Sequence, residues 1–326
     1  MRAFWTLLIL WFAMGCVNGD TPMNANDTTN IVFEVPKGST ANGISSQLVA
    51  QNLVPSEWQW KWFLRGEDAS CLKAGKFRLQ RAMSMRDLLQ TMCGVPLADE
   101  IPFKVLEGWR ILEIDAQLTA QGFIKAGEYK ALAESKAVKI PFPIESETLE
   151  GYLFPETYMV AADKSAFNTK AFIERQLKMF HDRFYTQNKD ALGTRTLGDV
   201  VTMASMLERE EPTESQRPIV AGILWKRLDN KWRLGVDATS RYTLEDWTDE
   251  RAFRRLLKDS SDRYNTRLHY GLPPTPIGNP SLSALQAVTA PKESKYWFYL
   301  HDKNGVFHGG VDGAHHERNR AQYNVY

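Results

Sequence analysis

The first twenty residues, "MRAFWTLLILWFAMGCVNGD", set the conditions under which everything downstream must fold. Arg2 is followed by fifteen uncharged, mostly apolar residues, Ala3 to Val17, and then by Asn18, Gly19 and Asp20. A basic start, an apolar stretch and a polar stop form an export pattern, with Arg2 kept on the cytoplasmic side. The run is short beside the roughly 17–25 residues of a full transmembrane helix. "AMGC", ending at Cys16, has the outline of a bacterial lipoprotein cleavage box, with Ala13 where leucine is usual. Residues 1–19 are therefore expected as an uncleaved membrane anchor, a lipidation signal with Cys16 as the modified residue, or a plain secretion signal. Each option places the rest of the chain outside the cytoplasm.

That compartment gives meaning to the two remaining cysteines, Cys71 and Cys93. An even pair in an oxidising environment suits a disulfide stapling a small N-terminal domain, the alternative being two buried free thiols. The chain of 326 residues is 43% hydrophobic and 24% charged, enough to build a sizeable core. Its formal net charge of +1 supplies no general field for nucleic acid, which is not an expected partner. Ten tryptophans leave both carbohydrate stacking and ordinary core filling open.

Residues 20–30 are polar and turn-rich and are expected as a linker. Residues 31–97 pattern as a small β-α-α-β-α unit. "IVFEVPKGS" alternates like a strand, and Ile44, Leu48, Val49 and Leu53 fall at helical spacing. "SEWQWKWFLRG" continues as a helix capped by Ser56, "LKAGKFRLQ" as a strand after a turn at Gly75, and "SMRDLLQTMC" as a helix capped by Ser84. Residues 98–326 pattern as a larger α+β domain. A strand, a turn at Glu107-Gly108 and a helix open it, and Pro155 forbids a continuous helix through "TLEGYLFPETYMV". Helices are expected over Ala166–Tyr185, Val200–Glu211 and Pro218–Leu228. A Pro-rich loop, a helix "LSALQAVT" and a strand "KYWFYLH" follow. The fold class expected is α+β throughout.

The stretch "VTMASMLEREEPTESQR" places Glu208, Glu210, Glu211 and Glu214 at the end of an apolar run. On a helix stepping about 100° per residue, the apolar side chains from Val200 to Leu207 share one face. Glu208 then lies about 90° to one side of that face and Glu210 about 70° to the other, so the two are not a cooperating dyad. Each sits at a core boundary, where partial desolvation raises a carboxyl pKa and suits a general acid. A solvated helix end is the competing explanation. Glu211 and Glu214 are assigned to the helix end and the turn at Pro212.

Six motifs occur in order around this stretch: "LKAGKFRL", "VLEGWR", "LEGYLFPETY", "VTMASMLEREE", "YNTRLHYGLPPTPIGNPS" and "YWFYL". Together they resemble the endolytic murein transglycosylase family, the YceG-like or MltG proteins, over roughly residues 30–325. The resemblance implies a small LysM-like domain at 31–97, an α+β catalytic domain at 98–326, and a single anchor at the bacterial inner membrane with the catalytic part in the periplasm. It implies cleavage within peptidoglycan glycan strands between MurNAc and GlcNAc, leaving 1,6-anhydroMurNAc ends, and a role in terminating or trimming nascent strands. It also implies proximity to peptidoglycan synthases.

The family pattern A-S-[aliphatic]-[aliphatic]-E-[K/R]-E falls on Ala204 to Glu210 and carries the catalytic role to Glu210. Glu208 is left as a supporting or substrate-binding carboxylate. Further substrate contacts implied are Asp237, Thr239, Tyr264, Asn265, Thr266 and His316, while Tyr152 either stacks a sugar or fills the core. Gly235 and Ala238 stand where the family has Gln and Pro, Arg267 where it has Tyr, and Lys226 where it has Asn, so the chain is a divergent member. His308, Asp312, His315 and His316 fit no strong ligand spacing, and neither metal nor cofactor is expected. Competing readings are a non-catalytic peptidoglycan-binding scaffold and a true hydrolase with Asp237 or Glu208 as second carboxylate.

Overall fold

A computed structural model of the protein describes residues 19–325, so the apolar N-terminal run and Cys16 lie outside the described residues. Among the described residues no helix is long and apolar enough to cross a membrane. The chain divides into two compact units, the first ending at Glu100 and the second beginning at Ile101.

In the first unit β1 (Ile31–Val35) pairs antiparallel with β2 (Gly75–Leu79), Phe33 opposite Phe77. Alternate residues Phe33, Val35, Phe77 and Leu79 are buried, as the two-residue period of a strand requires. Three helices cover that face: α1 (Ser45–Ala50), α2 (Glu57–Phe63) and α3 (Met85–Cys93), contributing Leu48, Trp60, Leu88 and Met92. The caps are those the sequence announces. Ser56 accepts from the Gln59 amide, and Ser84 forms a reciprocal capping box with Asp87. Gly75 is the first residue of β2 rather than part of a preceding turn. Cys71 and Cys93 are joined by a disulfide, tying the segment before β2 to the end of α3. Residues 20–30, expected as a linker, are fastened to this unit. The Asn24 and Ala82 amides donate to the Arg81 and Asp27 carbonyls, and Asp27 pairs with the Arg81 guanidinium.

β3 (Glu100–Lys104), which belongs to the second unit from Ile101 on, pairs with β4 (Thr157–Ala161). Between them lie α4 (Ile111–Ala120) and α5 (Glu128–Ser135). Then α6 (Thr169–Phe180) runs through a π turn at His181–Tyr185 into the short α7 (Thr186–Asn188). At the centre is α8 (Leu197–Glu210), begun by a Thr196–Asp199 capping box and buried from Val200 through Leu207. A helix buried on all sides for two turns must be the core element around which others pack. It is flanked by α9 (Arg217–Asp229) and α12 (Leu282–Thr289), with α10 (Asp237–Arg241) and α11 (Glu250–Leu256) between these in sequence. A hairpin of β5 (Phe298–His301) and β6 (Phe307–Gly310), and α13 (Gly313–Tyr323) beginning at the Asp312 cap, complete the unit.

Two close approaches hold the motif loops against α8. Gly151 has φ +92°, and a Cβ there would meet Pro276 and Val201 at 2.6–2.7 Å. Only glycine lets the "LEGYLF" turn lie so near both. The Asn279 side chain is fully buried. Its oxygen accepts from the Gly151 and Leu153 amides at 2.9 Å, and its nitrogen donates to the Trp109 carbonyl and to Glu150.

Candidate active site

The end of α8 presents two different chemistries on its two sides. On one side Ser205 and Glu208, three residues apart and so neighbours on the helix surface, hold the Pro-rich loop. The Ser205 hydroxyl accepts from the Ile277 amide at 2.9 Å and donates to the Thr202 carbonyl at 2.7 Å. The Glu208 carboxylate accepts from the Ser281 amide and hydroxyl through one oxygen and from Arg217 at 2.9 Å through the other. Both members of that ion pair are almost wholly enclosed, and Arg217 also donates to the Glu211 carbonyl and the Ser281 hydroxyl. Each atom of this cluster is engaged, which is what makes a buried ion pair tolerable. Glu208 is therefore a fastening of the fold. Both of its oxygens accept hydrogen bonds, one from the loop and the other from Arg217.

On the other side Glu210 opens into a cleft of about 560 Å³ lined by Arg227, Gly235, Asp237, Arg267, Tyr299 and His316, among others. The Tyr299 hydroxyl donates to Glu210 Oε2 at 2.8 Å. Burial raises the Glu210 carboxyl above the ordinary carboxylate range. The Tyr299 hydrogen bond opposes the rise, the Asp237 charge adds to it, and the Arg227 and His301 side chains oppose it. Burial and the Glu210 charge together hold the Tyr299 hydroxyl well above its usual pKa, so Tyr299 is a fixed donor. Asp237 shares the cleft but is ion-paired to the Arg267 guanidinium through both oxygens.

The Arg227 guanidinium spends its hydrogen bonds on the Trp297 and Leu234 carbonyls and packs against the Phe298 and Tyr299 rings. It thus reaches the cleft as a partly desolvated cation with, among the described residues, no carboxylate at ion-pair distance.

The alignment of α8 with β5 follows from local geometry. Tyr299 and His301, two apart on a strand, share a face. They meet the consecutive Glu210 and Glu211, the second through a His301 Nε2 to Glu211 Oε2 contact of 2.7 Å. Adjacent helical residues would diverge by about 100°. Glu211 escapes this because it is the C-cap, with extended backbone (φ −132°, ψ 101°). Assigning Glu211 merely to the helix end misses that its side chain is fully enclosed and joins the helix to the hairpin.

The structure divides the remaining candidates. Asp237 and His316 line the cleft with Glu210. His316 stacks on Phe298 at 5.2 Å, and its Nδ1 is buried without a hydrogen-bond partner. Tyr152 is wholly inside the core against Phe142 and Phe180. Thr239 and Thr266 bond each other and the Val236 carbonyl, which sets the backbone beneath the cleft. Asn265 is sealed in its turn, donating to the Leu256 carbonyl. Tyr264 bonds Thr275 and packs on Tyr242. Tyr152 takes the core-filling alternative, and Thr239, Asn265 and Thr266 are enclosed with their polar atoms engaged by neighbouring backbone or each other. Among the described residues no cluster of three or more His, Cys, Asp or Glu is poised for a metal; His308 instead pairs with Asp302 and stacks on Tyr323.

Tyr299, Arg227 and His301 also belong to the site. The sequence offers Tyr299 within the "YWFYL" motif and Arg227 within the match to an N-R-L motif whose Asn is Lys226 here, and nothing local links either to α8.

Comparison with known proteins agrees with this architecture. The sequence profile of the YceG-like family matches residues 33–322. A Bacillus subtilis protein named endolytic murein transglycosylase is 24% identical over 299 residues, covering 87% of this chain and 82% of the relative. A Streptococcus pneumoniae protein of the same name is 23% identical over 335 residues, covering 93% of this chain; the chain spans 60% of that relative's length. The crystal structure of a YceG-like protein from Listeria monocytogenes, 24% identical, superposes with a TM-score of 0.58 over 89% of this chain and 99% of that one, which shows the fold. With the profile spanning nearly all of the described residues, the chain belongs to the YceG-like family.

Proposed function

We propose that this protein is an endolytic peptidoglycan lytic transglycosylase with Glu210 as its general acid and base. The observation that carries this reading is that Glu210 is the one carboxylate lining the cleft, among the described residues, without a cation at ion-pair distance. A hydrolase needs a second carboxyl group to activate water or to attack the sugar. Asp237, the other carboxylate there, is committed to Arg267.

In the proposed reaction the protonated Glu210 donates to the GlcNAc O4 as its bond to MurNAc C1 breaks. The MurNAc N-acetyl oxygen assists at C1. The Glu210 carboxylate then takes the proton of the C6 hydroxyl as O6 closes on C1, forming the 1,6-anhydro ring. The proton count closes, and no water is consumed. Tyr299, by donating to Oε2, directs the exchangeable proton to Oε1, while Arg227 stabilises the carboxylate between the two proton transfers.

The names of the relatives support murein as the substrate class. The export pattern of residues 1–19 supports an inner-membrane attachment with the catalytic part in the periplasm, and trimming of nascent strands beside peptidoglycan synthases fits that location. The β-α-α-β-α pattern of the first unit supports the LysM-like reading of residues 31–97.

The test is digestion of polymeric glycan strands followed by mass spectrometry. The wild type is expected to yield anhydro-ended fragments whose masses sum to the parent without added water. Glu210→Gln is expected to lower turnover by roughly 10²–10⁴-fold. Products with reducing ends would overturn the lyase reading, and undiminished activity of Glu210→Gln would overturn the assignment of the acid.

A further inference from the structure

A second, shallower recess lies beside the Glu210 cleft, lined by Asn230, Lys231, Trp232, Arg233 and Tyr270. The segment Trp232–Gly235 joins the two. Trp232 and Arg233 line the recess, Leu234 turns inward and is fully buried, and Gly235 lines the cleft. Gly235 has φ +67°, and a Cβ there would meet nothing within 4 Å, so the backbone between recess and cleft borders open space at this point.

The recess carries two kinds of group at once. Trp232 is 41% exposed and Tyr270 65% exposed, unusual for large aromatic rings. Trp232 is nonetheless held in place. It packs on Trp297 with ring centroids 4.9 Å apart and meets Phe298 edge-on at 5.6 Å. Phe298 is itself a wall of the cleft. A ring fixed on its inner side and open on its outer side is a platform that loses little freedom when a ligand stacks on it. Beside it stand two cations. Arg233 lies over the Tyr270 ring at 4.9 Å, and among the described residues neither Arg233 nor Lys231 has a carboxylate at ion-pair distance.

We propose that this recess is an outer glycan subsite that takes a peptide-bearing muramyl unit of the strand, its sugar ring on Trp232 and Tyr270 and its stem-peptide carboxylates on Arg233 and Lys231. The inference rests on the peptidoglycan reading of the Glu210 cleft and extends it along the strand. The short Trp232–Gly235 segment and the Trp232–Phe298 contact, which tie the recess to the cleft wall, select the occupant, because a strand lying across Glu210 must leave the cleft somewhere. Unpaired cations beside the aromatic rings favour an acidic saccharide over a neutral one, since a guanidinium pairs with a carboxylate by two parallel hydrogen bonds. The predicted consequence is selectivity: strands carrying their peptides bind better than strands stripped of them.

The experiment measures binding to the full chain carrying Glu210→Gln, so that turnover does not intrude. Probes are purified glycan oligosaccharides with stem peptides attached and the same oligosaccharides after amidase removal of the peptides. Trp232→Ala is expected to weaken binding of both probes about five- to tenfold, with Trp232→Phe restoring most of the loss. Lys231→Gln combined with Arg233→Gln is expected to abolish the preference for the peptide-bearing probe and leave the stripped probe unchanged. The proposal is overturned if Trp232→Ala and Tyr270→Ala both bind within twofold of the parent. It is equally overturned if the charge variant keeps the parent's preference. Failure of the catalytic reading is separate, since it is read from the products of the enzyme with Glu210 intact.

Discussion

Glu210 and Tyr299 are 89 residues apart in sequence and share a hydrogen bond of 2.8 Å, from the phenol to the carboxylate. This contact brings the last turn of α8 and the first strand of the C-terminal hairpin into one site. It also sets the proton affinity of Glu210, because a donor to the charged form lowers a carboxyl pKa while burial raises it.

Removing the donor therefore has a signed consequence. Tyr299→Phe takes away the interaction that favours the carboxylate, so the Glu210 pKa should rise further. The acid form then persists to higher pH, and the alkaline limb of the kcat/KM profile should move upward. The rate at the optimum should fall about tenfold or more, through a weaker acid in the first step and a less well oriented proton. A pH–rate profile of both proteins on glycan strands checks this. A rate loss with the alkaline limb unmoved would mean that Tyr299 acts only as packing.

How far the sequence predicts this site depends on the range of the interaction. The helix of residues 197–210 and its caps are local, set by periodicity and by Thr196 and Asp199, and they are legible. Helical stepping separates Glu208 from Glu210, and the structure gives them unrelated partners, Arg217 and Ser281 for one and Tyr299 for the other. The elements that were not read are those with weak local patterns. Helix α13 is polar on nearly all sides, with Asn319 its one buried residue, so no apolar stripe marks it. Strand β6, "FHGG", has two glycines where strand formers are expected. Arg227 falls on the Arg of a family N-R-L motif, which says nothing of what surrounds it. Its burial depends on carbonyls at Leu234 and Trp297, the latter 70 residues away. Thr239, Asn265 and Thr266 show the converse, because a motif position marks the residue without saying that its side chain is enclosed and bonded to neighbouring backbone.

The Glu208–Arg217 pair supplies a prediction of the opposite kind from Tyr299. Glu208→Ala leaves the Arg217 guanidinium buried without its carboxylate, which costs about 3–5 kcal/mol. It also releases the Ser281 cap of α12. Thermal denaturation should show a large fall in Tm. The folded fraction should keep most of its turnover and an unaltered product spectrum, because Glu208 does not face the cleft. Loss of turnover without loss of stability would instead give Glu208 a chemical role.

Cys71 and Cys93 close a loop with a sequence separation of 22 within the first unit. Cross-linking a loop of that size restrains the unfolded chain by roughly 3 kcal/mol in the chain-entropy treatment. Reduction, or the double change Cys71→Ala and Cys93→Ala, should lower the melting temperature of the first unit. The melting of the second unit should stay in place. Calorimetry with and without reductant separates the two, and an unmoved first transition would show that the core of Phe33, Trp60 and Phe77 suffices alone.

Glu150 gives the clearest pH dependence of stability. Its carboxyl is enclosed beneath Asn279 and Tyr242, and burial raises its pKa from 4.5 to about 8. The Ile111 amide, donating to both oxygens at 3.1 Å, opposes that rise without cancelling it. The folded protein thus holds a proton that the unfolded carboxyl has lost above about 4.5. By linkage, the stability this group contributes is fully present below the unfolded value and is lost as pH rises through about 8. Glu150→Gln removes the titration and keeps the shape. The wild type should therefore lose several degrees of Tm relative to Glu150→Gln on going from acid to mildly alkaline pH, given roughly 2–4 °C per kcal/mol for a unit of this size. The lost margin would act on the Asn279 knot that ties the "GLPPTPIGNPS" loop to the "LEGYLF" turn and Trp109, so activity at alkaline pH should be more thermolabile in the wild type than in the variant. Melting curves that stay parallel across this range would show that Glu150 is ionised in the folded protein and fully compensated by its donors.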